Sequence, residues 1–117
     1  MPFDHEIAGD PPVVIIRGVG TVDLEMWQTA MQRVVADPLF SEGTPILVDV
    51  TEVGNLPQPG EAAIAAIRWR ALAPRSRGAI VATHEAEYAA AREVEHITGG
   101  RIRAFLDVAA AMAWLLN

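Results

Sequence analysis

At 117 residues the chain has room for one domain with a single sizeable core, and not for two. Apolar residues make up 51% of it, which excludes a disordered chain, and a net charge of −6 argues against a general nucleic-acid binder, because phosphate needs a positive surface. The absence of cysteine removes disulfides, thiolate catalysis and cysteine-based zinc sites together.

The first ten residues, MPFDHEIAGD, have neither a basic n-region nor an apolar h-region. No run approaches the roughly 18 to 20 apolar residues of a membrane span. A cytoplasmic protein without a membrane span is expected. The basic residues other than histidine are all arginine, which with so much alanine reflects codon bias and carries no functional weight.

Residues 3–7 predict a short edge strand, turned at Gly9-Asp10-Pro11-Pro12 into a β-branched run over 13–17 that is apolar on both faces. An antiparallel hairpin is the expected link. Gly18-Val19-Gly20 then ends the strand, with Thr21 as N-cap of a helix over 22–36. Leu24, Trp27, Met31 and Val34 fall on one face of that helix. Asp37-Pro38 stops it. A strand over 46–50 follows, then a loop to Pro59 and a helix over 59–72. This helix carries two apolar stripes, Ile64, Ile67 and Ala71 on one side and Ala62, Ala65, Trp69 and Leu72 on the other. One stripe can lie on a sheet, but both cannot.

Residues 77–107 read as strand, helix, Gly-Gly stop and strand, the unit that sets two parallel strands side by side. Its helix, 85–98, is expected to bury Ala86, Ala90, Val94 and Ile97 and to leave Tyr88, Arg92 and Glu95 outward. Asp107 caps a last helix ending at Trp114-Leu115-Leu116. The order is β-β-α-β-α-β-α-β-α: an α/β fold with a mostly parallel sheet and helices mainly on one face, in a single domain over 1–117.

Catalytic motifs fail on inspection. After Gly18-Val19-Gly20 a dinucleotide fingerprint needs a third glycine where Asp23 stands, and that carboxylate repels a pyrophosphate. His84-Glu85-Ala86-Glu87-Tyr88 opens like a zincin motif but has tyrosine at the second histidine. Asp49, His84 and Asp107, all near strand C-termini, are better read as caps and loop residues than as a metal site. Neither serine, Ser41 or Ser76, lies in a nucleophile elbow. No cofactor or metal is expected, and no enzyme activity.

The stretch Arg68-Trp69-Arg70 to Arg75-Ser76-Arg77 is locally basic and has an aromatic within it. One reading is a partner surface, since tryptophan and arginine dominate interface hot spots. The other is a helix C-terminus complemented by arginine, with Trp69 covered by a neighbouring helix. Burial of Trp69 decides between them. Tyr88 and Arg92, one helical turn apart, form a secondary candidate surface.

Taken together, Asp37-Pro38-Leu39-Phe40 before Ile46-Leu47-Val48-Asp49, then Ala79-Ile80-Val81-Ala82, Tyr88-Ala89-Ala90-Ala91-Arg92, Phe105-Leu106-Asp107 and Ala113-Trp114-Leu115 resemble the SpoIIAA-like proteins of the STAS superfamily. The resemblance covers nearly the whole chain. It implies strands added in order under helices on one side, and a regulatory role, since founding members antagonise anti-sigma factors. Those are switched by phosphorylation of a serine at the start of the second main helix. Here that region is Gln58-Pro59-Gly60-Glu61, without a hydroxyl, and Thr51 is the nearest one. The phosphoswitch therefore does not carry over. The wider group also resembles lipid-carrying CRAL-TRIO domains.

The expected function is a non-catalytic regulatory or interaction module that binds a protein partner, or itself as a homodimer, through Gln58, Glu61, Arg68, Trp69, Arg70 and Leu72. The alternative is a carrier of a small apolar ligand held between helices and sheet.

Overall fold

A computed structural model describes residues 2–58 and 60–117. Five strands form one sheet in the order β1 (Phe3–Ala8), β2 (Val13–Gly20), β3 (Ile46–Val53), β4 (Gly78–Val81) and β5 (Ile102–Phe105). The first pair is antiparallel, joined across a cis Asp10–Pro11 bond, and the others are parallel. Helices α1 (Leu24–Ala36), α2 (Glu61–Leu72), α3 (Glu85–Ile97) and α4 (Val108–Leu115) fill the intervals. The predicted order is the observed one.

Strand alternation explains the layering. Val14, Ile16, Ile46 and Val48 point to one side, where they share a core with Trp27, Ala30, Met31 and Val34 of α1, Ala66 and Trp69 of α2 and Val94 of α3. Val13, Leu47, Ala79 and Val81 point to the other and pack on Ala111 and Leu115 of α4. Three helices thus cover one face and a single short helix the other.

Several boundaries differ from expectation for local reasons. Asp23, not Thr21, caps α1, accepting a hydrogen bond from Met26 N at 2.8 Å. Gly18 lies inside β2 rather than ending it, because a Cβ there would stand 2.8 Å from both Phe3 and Val53. The turn comes at Gly20, whose φ of 75° suits glycine. Pro59, expected in the first turn of α2, lies outside the described residues.

Helix α3 is rolled relative to its predicted face. Ala91 and Val94 are buried, whereas Ala86 and Ile97 are exposed. The roll turns Glu95 toward the sheet, where its Oε1 accepts from Ala104 N of edge strand β5 at 2.9 Å. The Thr98 hydroxyl, also buried there, accepts from Ile102 N at 3.1 Å and lies 2.9 Å from Val94 O and 3.3 Å from Ile102 O. These two side chains occupy polar backbone groups that β5 would otherwise offer to another strand.

At the opposite edge His5 Nε2 donates to Asp37 Oδ2 at 2.9 Å, tying β1 to the end of α1. Asp37 Oδ1 accepts from Leu39 N at 2.9 Å. That backbone hydrogen bond first, and His5 second, hold the Asp37 carboxyl below its ordinary value of 3.8. A lowered folded pKa means the stabilisation is complete above the ordinary value and is lost as pH falls through the folded one. Asp37→Asn should therefore flatten the acid limb of stability below about pH 4, read from urea midpoints against pH. An unchanged limb would show that other carboxylates set it.

Candidate functional site

The helix-covered face contains a half-open apolar groove near the C-terminal ends of β3 and β4, with a volume of about 180 Å³. Val48, Val50 and Ile80 of the sheet line it, with Trp27 of α1 and Trp69 of α2. Small side chains, Ala62, Ala65 and Ala66 on α2 and Ala90 and Ala91 on α3, leave the space open. A helix needs bulk at such positions to close on its neighbours, and alanine supplies none.

Two loops are clasped at the groove. Asn55 Oδ1 accepts from Val22 N at 2.9 Å while its Nδ2 donates to Val22 O at 2.8 Å. Gly54 N adds a bond to Gly20 O at 2.8 Å. The polar residues in the lining are Asp23, Asn55, Glu61 and Glu87, with no arginine or histidine among them. Asp23 spends Oδ1 on Met26 N, and Glu61 Oε1 takes the Gln58 N–H at 2.6 Å. Glu87 Oε2 is buried without a hydrogen-bond partner among the described residues.

The structure scatters the sequence-derived candidate surface. Trp69 is only 3% exposed, so it is a core residue and not a docking side chain. Its ring centroid lies 5.5 Å from that of Trp27, with the planes at 58°. The reason is Gly78, where a Cβ would stand 2.3 Å from Trp69 Cζ2: the missing side chain is the slot that receives the indole. Leu72 is half-buried against the same core. Gln58 is exposed and Glu61 half-buried beside the groove. Arg68 is exposed and donates to Gln28, while Arg70 is half-buried.

The rest of the basic stretch disperses too. Arg75 pairs with Glu42 at 3.2 Å, Ser76 is buried, and the Arg77 guanidinium lies 3.9 Å over the ring of Trp114. Tyr88 and Arg92 do meet: the tyrosine hydroxyl, then Glu95, raises the Arg92 pKa above its ordinary value.

With Trp69 inside, the stripe left outward on α2 is the other one. Ile64 is 42% and Ile67 63% exposed, and Leu56 in the preceding loop is 50% exposed. Both stripes were visible in sequence; which faced out was not. Asn55 was missed, and Glu87 was seen only within the failed His84–Tyr88 motif, since a lone loop amide and a first-turn acid carry no distinguishing pattern.

Among the described residues no group of three or more metal-binding side chains gathers. Asp49 Oδ1 accepts from Thr51 N and Oγ1 at 2.9 and 2.7 Å, and Asp107 caps α4 through Ala110 N. No described helix is long and apolar enough to cross a membrane.

This arrangement is a SpoIIAA-like fold. Over 97% of its length the chain superimposes on 91% of an uncharacterized protein of the DUF3478 family with a SpoIIAA-like fold from Shewanella loihica PV-4, at 19% identity and a TM-score of 0.67. An anti-sigma factor antagonist from Mycobacterium paratuberculosis matches equally, with 18% identity, 98% and 95% coverage and a TM-score of 0.67. No family model and no curated protein matches the chain.

Proposed function

We propose that the chain is a non-catalytic regulatory module that binds a protein partner through the outward face of α2. The carrying observation is that apolar side chains run right round this helix although only one side is covered. An all-round apolar helix is otherwise found buried. Ile64 and Ile67, with Leu56 before them and Arg68 alongside, supply an apolar centre and a cationic flank, the anatomy of a small interface. The antagonist with the same fold supports a protein partner. Because residues 58–61 lack a hydroxyl and the Thr51 hydroxyl is bonded to Asp49, binding here is not switched by phosphorylation at that turn.

Benzoylphenylalanine at position 64, photolysed in the cells of origin, should give one discrete protein adduct. Adding Ile67→Asp should remove it, since a buried charge in an interface centre costs about 2 kcal/mol or more. Leu116→Asp, at the exposed C-cap of the far helix α4, should leave it. An adduct indifferent to Ile67→Asp would refute the surface.

The groove supports a second reading, a small apolar ligand held between helices and sheet. An apolar cavity of about 150 Å³ takes up benzene, and this one is of that size.

A further inference from the structure

We infer that the outward face of α4 is a dimer interface, on which a second copy of this chain docks with its own α4 antiparallel. The surface lies across the sheet from α2 and is independent of the α2 and groove readings. Composition comes first. Unlike α1, α2 and α3, α4 (VAAAMAWL) contains no charged residue. A helix apolar on every side is ordinarily covered on every side. Here only Ala111 and Leu115 are buried, against Val13, Leu47, Ala79 and Val81 of the sheet.

The uncovered side has a pattern of its own. Leu106, Ala109, Ala113 and Leu116 recur at i, i+3, i+7 and i+10 and are all exposed. At about 100° per residue they share an arc of about 80°, opposite Ala111 and Leu115. That is the spacing of a coiled-coil seam. It also reads the same in both directions: large, small, small, large. Turned end for end about a two-fold axis level with Ala111, the seam sets Leu106 against Leu116 of the second copy and Ala109 against its Ala113. Alanines at the middle let the two helix axes approach closely.

The charges choose the occupant. Arg77 and Arg103 stand at the C-terminal end of α4. Their guanidiniums lie 3.9 and 5.1 Å from the centre of the Trp114 ring, and Arg77 donates to Asn117 O at 3.2 Å. Among the described residues neither forms an ion pair with an acidic side chain. Two aspartates stand at the other end. Asp107 caps the helix, and Asp49 falls on the α4 side of β3, level with Val81 at the end of β4. Their hydrogen bonds to Ala110 N and Thr51 leave the negative charges in place. End-for-end pairing brings the arginines of each copy to the aspartates of the other. An isologous interface needs a face that is complementary to itself in this way. A parallel copy would set like charges together, and an anionic membrane that met the arginines would be repelled by the aspartates.

Sedimentation velocity of the full chain, carried up to about 1 mM to reach weak association, should show a monomer–dimer equilibrium. Ala113→Glu should weaken it at least about thirtyfold and leave the urea midpoint nearly unchanged, because position 113 is exposed in the single chain. The chain has no cysteine, so oxidation can read the register. An equal mixture of Ala109→Cys and Ala113→Cys chains should form the mixed disulfide dimer faster than either variant alone. Faster cross-linking of either variant with itself would mean parallel helices and overturn the inference. So would a monomer at every concentration, or a dimer indifferent to Ala113→Glu. A monomer that pellets with phosphatidylglycerol vesicles would give the face to a membrane and overturn the second copy.

Discussion

Trp69→Ala should cost the domain about 3 to 5 kcal/mol, the range for removing a buried large aromatic side chain. A domain of this size has about 5 to 15 kcal/mol in total, so the variant sits at the edge of folding. The indole fills the slot over Gly78 and packs on Trp27, and both contacts vanish together. Neighbouring alanines cannot collapse into the space, because Ala62, Ala65 and Ala66 have no reach. Trp69→Phe should be much milder, since it keeps a ring and removes an indole N–H that has no partner among the described residues. Ile67→Ala, on the exposed stripe, should stay within about 0.5 kcal/mol. Urea unfolding of the three variants distinguishes them, and a loss below about 1 kcal/mol for Trp69→Ala would return Trp69 to the surface.

Thr98→Val is the second large effect, near 2 kcal/mol from a change of one hydroxyl to one methyl. The shape is kept, but Ile102 N loses the acceptor that Thr98 Oγ1 provides, in a buried position. Val94 O keeps its own helical donor, Thr98 N at 3.0 Å. The unpaired Ile102 N–H therefore carries most of the loss. Amide exchange at Ile102 should speed up more than at β3, because only the edge is released. Unchanged exchange at Ile102 would mean that the strand edge is protected by something other than the hydroxyl. The same variant should aggregate more readily on heating, since an edge strand with free donors pairs with copies of itself.

What could be read from sequence follows from what is periodic. Alternation in β2 and β3, the stop signals after α1 and α3, and Asp107 before α4 are local, and they placed every element in the right order. The roll of a helix is not local when its faces are equally apolar. On α2 the choice between Ile67 and Trp69 was made by Gly78, which is near only in the folded chain. On α3 it was made by the needs of the β5 edge, met by Glu95 and Thr98. The candidate site inherits that limit: Glu61 and Trp69, read from sequence as partner-binding residues, line the groove instead, and its other polar residues, Asn55 and Glu87, come from separate loops and helices.

The packed indoles of Trp27 and Trp69 also make the protein its own optical instrument. Two such chromophores with centroids 5.5 Å apart and inclined planes couple their transitions, so the near-ultraviolet circular dichroism carries a signal from this pair that neither ring has alone. Both rings border the groove. Occupancy there, or a shift of α1 against α2, changes the coupling and the emission directly, without any attached dye.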